Sequence, residues 1–240
     1  MNKHNQPLIL GIDSATSLCS VALVAGDTVL AQTTKEMSRG QAEELLVMVD
    51  TALKDTNIDP QNLDCIAVTI GPGSFTGLRI GLSAARGLAL AISKPCIGVT
   101  TFEAAAIALG TDNICNIGNN TLLVAIETKR DDIYAQLFDK NMTALSPGAA
   151  LHPDELAKIV RPHSGNLLVT GDGAASALAM LQTHEITANP VSTSAPQSAV
   201  GVCTIAKTRY QPGGHMVPAP QPLYLRPAEA KIAPPFVRPT

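Results

Sequence analysis

The feature that most constrains this sequence is an apolar run that stops at a glycine-rich bend and resumes with helical period. Cys65 to Ile70 is short, apolar and β-branched, which predicts a buried strand. Gly71-Pro72-Gly73 then permits backbone angles that a side chain would resist, and Ser74 or Thr76 is placed to cap a helix that begins near Gly77. A strand, bend and helix in this order leave free N–H groups at the helix start, which attract anions.

The spacing of the bend departs from three well-known motifs. A Walker loop needs Lys and then Ser or Thr after its last glycine, whereas Leu78-Arg79 follows Gly77. A dinucleotide fingerprint needs glycine at position 76, which is Thr76, and a nucleophile elbow around Ser74 fails at the same position. The bend is therefore either a ligand contact or a tight strand-to-helix turn, and the sequence leaves both open.

Composition narrows the class of protein. There is no Trp, with only four Phe and three Tyr, so the core is built from Leu, Ile, Val and Ala. A net charge of -3 gives no overall basic field, so any contact with nucleic acid is local or made through a partner. No apolar run approaches the roughly 18 to 20 residues of a membrane span, and no secretory signal is evident. We expect a soluble, cytoplasmic protein without a membrane contact.

Neither cysteines nor histidines are arranged for a metal. The five cysteines are scattered without a Cys-x-x-Cys pair, which favours reduced, buried thiols. The five histidines include no pair three or four residues apart on one helix face. The pattern predicts no metal site.

The first half, residues 1–111, alternates strands and helices after an antiparallel meander. Strands are predicted at Leu8 to Asp13, Ser20 to Ala25 and Thr28 to Thr34. An amphipathic helix follows, with apolar positions from Ala42 to Leu53. Further predicted elements are the strand at 65–70, a helix from Gly77 to about Ile92, a strand from Cys96 to Val99 and a helix from Thr101 to about Leu109.

The second half, residues 121–210, repeats the first. Leu8 to Ser14 aligns without gaps on Leu122 to Thr128, and Val68 to Gly73 matches Leu168 to Gly173. Two matching stretches in the same order suggest an internal duplication. Helices are predicted near Pro153 to Val160, Ala174 to Leu181 and Pro196 to Tyr210. Residues 211–240 are rich in proline and predict an extended tail laid along the body through Leu223, Tyr224 and Leu225.

A duplicated βββαβα unit with an acidic residue ending the first strand of each half is the plan of the actin-like ATPases, which have a ribonuclease H-like α/β fold. Asp13 and Glu127 are these acidic residues, and the glycine bends lie at the expected cleft. The first hairpin, Ser14 to Ser20, has neither glycine nor Lys to hold phosphates. Asp13 is therefore either a ligand contact or a local cap. The candidate nucleotide or anion contacts are Asp13, Gly71, Gly73, Ser74, Thr76, Gly171 and Gly173.

Four segments together resemble the bacterial TsaB (YeaZ) family. They are Ile12 to Thr16, the stretch from Gly71 to Gly81, the segment Ala125 to Tyr134, and the late Pro222 to Arg226. The resemblance implies an accessory subunit of the machinery that places a threonylcarbamoyl group on the adenosine beside the anticodon of certain tRNAs. It also implies three protein partners: a second copy when alone, a larger TsaD-type sibling that carries the metal and the transfer chemistry, and a TsaE-type ATPase. Contact with tRNA is then indirect, through the complex.

One departure from the sibling supports the accessory role. The sibling holds its metal with a His-x-x-x-His on the first-half helix, and the corresponding stretch here is Gln41 to Leu45. We therefore expect no catalytic residue and no cofactor of the chain's own, with ATP or ADP confined to the junction of the complex.

The helices also suggest where a partner binds. Small residues lie along one long side of the second helix, which lets another helix approach closely, and Arg79 and Arg86 share an edge of it. On the first helix, Val47 and Met48 widen the apolar stripe. The alternative is that both helices only cover their own sheet, and the pattern favours this role for most of these positions. The predicted interface residues are Leu46, Met48, Val49, Leu53, Gly77, Arg79, Gly81, Ala84 and Arg86.

Two other functions remain open. A stand-alone actin-like ATPase or kinase is suggested by Asp13 and the two glycine bends. A glycoprotease-like peptidase is a weaker alternative, since the chain offers neither a metal pair nor a positioned nucleophile.

Overall fold

Two five-stranded mixed sheets with matching topology form the protein, for which a computed structural model describes residues 6–37, 40–109, 117–191, 198–212 and 218–226. The first sheet has the spatial order β3-β2-β1-β4-β5 and the second β10-β9-β6-β7-β8. The first sheet comprises β1 (Leu8–Asp13), β2 (Leu18–Ala25), β3 (Thr28–Glu36), β4 (Cys65–Gly71) and β5 (Cys96–Thr100). The second comprises β6 (Thr121–Ile126), β7 (Ile133–Phe138), β8 (Ala149–Leu151), β9 (Leu167–Thr170) and β10 (Asn189–Pro190).

The two sheets repeat one connectivity. β1 is central, antiparallel to β2 and parallel to β4, and β6 is antiparallel to β7 and parallel to β9 in the same way. Read from the opposite edge, the strand order of the second sheet is that of the first. This repetition confirms the predicted duplicated, actin-like α/β fold.

Six helices are described in full. They are α1 (Gln41–Asp55), α2 (Phe75–Ala91), α3 (Thr101–Ala108), α4 (Pro153–Val160), α5 (Ala174–Thr183) and α6 (Ser198–Arg209), with 3-10 turns at Pro60–Asn62 and Arg161–His163. The helix predicted from Gly77 begins two residues earlier, because Ser74 is its N-cap and the Ser74 hydroxyl accepts from the Gly77 N–H at 3.2 Å. The start predicted at Pro196 for the last helix lies outside the described residues.

Each sheet is covered on both faces by helices. One face of the first sheet packs against α1 and α2, through residues such as Leu10, Met48 and Leu82. One face of the second sheet packs against α4 and α5, through Leu156 and Leu181 among others. These two cores are made of aliphatic side chains, as the scarcity of aromatic residues predicts.

The remaining face of each sheet is covered by a helix from the other half of the sequence. On α6, Val202 and Cys203 pack against Ile9 of the first sheet. On α3, Phe102 packs against Leu122 of the second sheet. The predicted division at 112–120 therefore lies between the two sheets, but the helices of each half also pack on the sheet of the other half. Of these residues, 117–120 are described.

The four described cysteines are free and buried. Burial raises the pKa of the Cys65 thiol to about 12, which keeps it protonated at neutral pH. Cys115 lies outside the described residues. Within the described part of the chain, no helix has both the length and the apolar character needed to cross a membrane.

Candidate functional site

Asp13 ends β1 and is almost fully buried, with 1% of its surface exposed. Its Oδ1 accepts hydrogen bonds from the Ala15 N–H at 2.9 Å and from the Thr69 hydroxyl at 2.8 Å. The carboxylate thus fastens the first hairpin to the neighbouring strand β4. Of the two roles that the sequence left open for Asp13, the structure shows the local cap, through the bond from the Ala15 N–H.

The glycine bend packs closely on that hairpin. Gly73 has φ +156°, and a Cβ there would lie 2.1 Å from the Ala15 carbonyl oxygen. The same oxygen accepts from the Ser74 N–H at 2.7 Å. Gly77 approaches the Ser14 carbonyl equally closely, and the Ser14 hydroxyl donates to the Gly77 carbonyl at 2.9 Å. These glycines allow two backbone segments to touch, and part of the N–H set at the helix start is already bonded.

The second half builds the same arrangement around Glu127. Gly171 has φ +101°, and a Cβ there would lie 2.0 Å from the Ala125 carbonyl oxygen, which also accepts from the Gly173 N–H at 3.1 Å. The Glu127 carboxylate accepts from the Ser176 hydroxyl at 2.6 Å and from the N–H groups of the two residues that follow it. These bonds, the one from Ser176 first, lower the pKa of Glu127 below its ordinary value.

The Asp172 carboxylate contacts the loop that carries Glu127. Its Oδ1 accepts from the Glu127 N–H at 3.0 Å. Desolvation by the surrounding protein raises the pKa of the Asp172 carboxyl, and the negative charges of Glu127 and Asp13 raise it further.

A cleft of about 480 Å³ opens between the two halves above these loops. It is lined by residues of both halves and of the tail, with carboxylates and cations on the second-half side. The lining is Ala15, Thr16, Ser17, Met37, Gln41, Gly73, Ser74, Phe75, Glu127, Thr128, Lys129, Arg130, Tyr134, Asp172 and Arg226.

Only some of the predicted ligand contacts line this cleft. Gly73 and Ser74 reach its lining, whereas Asp13 is buried beneath it. Gly71 is buried beside the Leu223 carbonyl of the tail, and Thr76 lies in a different groove. Among the described residues, no group of three or more His, Cys, Asp or Glu side chains is arranged to hold a metal ion.

The second concave surface is an apolar groove of about 570 Å³ between α1 and α2. Leu46 is 52% exposed at its edge and Phe75 is 55% exposed. The Arg79 guanidinium lies over the Phe75 ring, 3.8 Å from its centroid. The groove is lined by Ala42, Leu45, Leu46, Phe75, Thr76, Arg79, Ile80, Ser83 and Ala84.

The structure divides the predicted interface residues into three groups. Leu46, Arg79 and Ala84 line the groove. Met48, Val49, Gly77 and Gly81 are buried towards the protein's own sheet, and Leu53 packs against the same core. Arg86 is engaged by the tail, donating to the Pro220 carbonyl. The small face of α2 therefore serves close packing on β1 and β4.

Two exposed aromatic residues were not in the predicted interface. Phe75 and Tyr224 stack with ring centroids 5.6 Å apart. A signal was present for Phe75, since a chain with four Phe places one of them in the first turn of a helix beside polar residues. For Tyr224 no local pattern reveals that the tail brings it to α2.

Comparisons with known proteins match the chain to two related kinds of threonylcarbamoyladenosine protein, named TsaD and TsaB. The family model described as "TsaD: tRNA N6-adenosine threonylcarbamoyltransferase" matches residues 28–233. The Escherichia coli K12 protein named tRNA threonylcarbamoyladenosine biosynthesis protein TsaB is 32% identical over 169 residues, which are 69% of this chain and 71% of that protein. The Bacillus subtilis protein of the same name is 35% identical over 98 residues, 41% of this chain and 43% of that protein.

A solved structure shows the same fold. The crystal structure of a Pseudomonas aeruginosa protein, described as uncharacterised with similarity to the peptidase YeaZ, superposes with a TM-score of 0.75 at 24% identity. The match covers 92% of this chain and 100% of that chain.

Proposed function

The chain belongs to the TsaB (YeaZ) family, and from that premise we propose that it is a non-catalytic subunit that binds and activates a TsaD-type transferase. A role in threonylcarbamoyladenosine biosynthesis follows from the family. The finer role is threonylcarbamoylation of the adenosine beside the tRNA anticodon, with the sibling supplying the chemistry. The chain forms a homodimer when alone, and a TsaE-type ATPase joins the heterodimer.

The observation that carries this proposal is the uncovered apolar surface of α1 and α2. Leu46 and Phe75 line the groove and are 52% and 55% exposed, and Val47 and Leu90, elsewhere on the same two helices, are 57% and 78% exposed. Exposed large apolar side chains grouped around a groove mark protein–protein contacts, and an Arg over an aromatic ring is a frequent anchor in them. A sibling of the same fold brings a comparable pair of helices to such a surface.

The loops support a non-catalytic role. Oδ1 of Asp13 and both carboxylate oxygens of Glu127 accept hydrogen bonds from backbone N–H and hydroxyl groups of the chain itself. The carbonyls of Ala15 and Ala125 take N–H groups of the glycine bends that would otherwise be free for phosphates. We therefore assign any ATP or ADP to the subunit junction and not to the cleft of this chain alone.

The test is light scattering after size exclusion, with the chain mixed with the TsaD-type protein of its own organism. Leu46→Asp should abolish co-elution and the gain in transfer activity, because it places a charge in the apolar contact. Leu145→Asp is the matched control, since Leu145 is also 52% exposed but lies in the second half. Transfer or ATP hydrolysis by the chain alone, lost in Asp13→Ala, would instead favour the stand-alone ATPase.

A further inference from the structure

The described tail segment, residues 218–226 and here called the strap, runs from the first half to the second. The Pro220 carbonyl accepts from Arg86, and the Leu223 N–H donates to the Ile70 carbonyl at 2.7 Å. Further on, Leu225 packs against the apolar cluster that contains Phe102, under the second sheet. The strap is therefore fixed to both halves.

At the groove, the strap adds an aromatic ring to α2. Tyr224 stacks on Phe75, and its hydroxyl accepts from the Arg79 Nε at 3.3 Å. Tyr224 is 46% exposed in a chain that has only three Tyr and four Phe. Aromatic rings and arginine are the side chains most enriched at the energetic centres of protein interfaces.

At the other end, Arg226 holds the strap on the second half. It forms an ion pair with Asp132, whose side chain is only 10% exposed, and lies 5.1 Å from the centroid of the Tyr134 ring. The Thr128 hydroxyl donates to the same carboxylate at 2.8 Å. A largely buried, hydrogen-bonded ion pair of this kind depends on both partners.

We propose that the strap extends the docking surface beside the groove, where Tyr224 and Phe75 form an aromatic anchor that the TsaD-type sibling covers. Arg226 positions this anchor from the second half. The inference rests on the proposed function and extends the interface beyond the two helices. Phe75 lines both the groove and the cleft, so the aromatic anchor is continuous with the helical surface. The occupant is the sibling because membership of the TsaB family implies a complex that contains a TsaD-type protein.

A fluorine label tests where the sibling lies. The chain has no Trp, so Tyr224→Trp made with 5-fluorotryptophan carries a single label. Its ¹⁹F resonance should move when the unlabelled sibling is added, whereas the label in Leu145→Trp should not. A shift caused only by raising the concentration of the chain itself would assign the anchor to a second copy and overturn the sibling assignment.

Titration calorimetry, which measures the affinity of the chain for the sibling, tests the positioning role of Arg226. Arg226→Gln and Tyr224→Ala should each weaken binding by about tenfold, since both loosen or remove an anchor residue. Lys207→Gln, which breaks an ion pair with Asp27 remote from the strap, should change it less than twofold. Tyr224→Ala alters a half-exposed side chain, so it stays informative if Arg226→Gln does not fold.

The possible failures are distinguishable. If both strap variants bind the sibling with unchanged affinity while Leu46→Asp still abolishes binding, the proposed role of the strap is wrong and the proposed function stands. No binding by the unaltered chain would overturn both.

Discussion

Glu127 directly follows β6 and has both carboxylate oxygens engaged, one by the Ser176 hydroxyl and the other by backbone N–H groups. Because these bonds lower its pKa in the folded state, they stabilise the protein above the ordinary value of 4.5, and the stabilisation is lost as the pH falls through the folded pKa. The acidic residue thus acts as a structural staple for the loop between β6 and β7.

We expect Glu127→Gln to lower the free energy of unfolding by about 1 kcal/mol at pH 7, the low end for charged hydrogen bonds, because the side chain is partly solvated. The difference from the unaltered chain should shrink as the pH falls below the ordinary value of 4.5 and through the lowered pKa of the folded state. Urea titrations at pH 7 and pH 3.5 measure both values. Glu36→Gln, at an exposed position at the end of β3, should show neither effect.

At this scale the sequence located the acidic residues but not their roles. Asp13 and Glu127 were predicted at strand ends because the repeat aligns them. Their partners, Thr69 and Ser176, lie 56 and 49 residues away in the chain. A contact over such a separation depends on how the strands pair, which no local pattern states.

At the element scale, α2 has two kinds of glycine. A Cβ on Gly77 would lie 2.1 Å from the Ser14 carbonyl oxygen, whereas a Cβ on Gly87 would meet no atom within 4 Å. The first glycine is required by the close approach of helix and hairpin. The second lies at an open position, where glycine only reduces helix stability.

We expect Gly77→Ala to destabilise the protein by about 1 to 3 kcal/mol, because the backbone must move to accept the methyl group. Gly87→Ala should stabilise it by about 0.5 to 1 kcal/mol through helix propensity alone. Thermal unfolding of the two variants gives opposite shifts in Tm. Equal effects at the two positions would contradict the placement of Gly77 against the hairpin.

The same helix shows what periodicity leaves undecided. Its existence, and its ends to within two residues, were predicted from apolar spacing and a cap. The sequence predicts that the face of small residues meets a partner. In the structure this face packs on its own half, where a Cβ added at Gly81 would lie 2.4 Å from the Ser14 hydroxyl oxygen. A thin helix face permits close packing on either a sheet or a partner. The short strands β8 and β10 were missed because three and two residues carry no period.

At the scale of the whole molecule, the two halves exchange covering helices. α3 packs on the second sheet through Phe102 and also reaches the first through Ala104, and α6 packs on the first. The duplicated fold was predictable, because matching strands recur in order, but this exchange was not, because both helices are short and apolar enough to cover either sheet. Neither half therefore completes its core alone.

This exchange predicts that the halves unfold together. Leu167→Ala, at a fully buried position of β9, should cost about 2 to 5 kcal/mol, since it leaves a cavity in the second core. In native-state hydrogen exchange, the slowest amides of both β1 and β6 should then exchange faster. A loss of about 2 kcal/mol of stability corresponds to exchange that is about 30-fold faster. Leu145→Ala, at an exposed position, should leave both rates unchanged. Faster exchange confined to β6 would mean that the second half opens independently. Equal acceleration would mean that α3 and α6 join the sheets into one cooperative unit, which a strap fixed to both halves also requires.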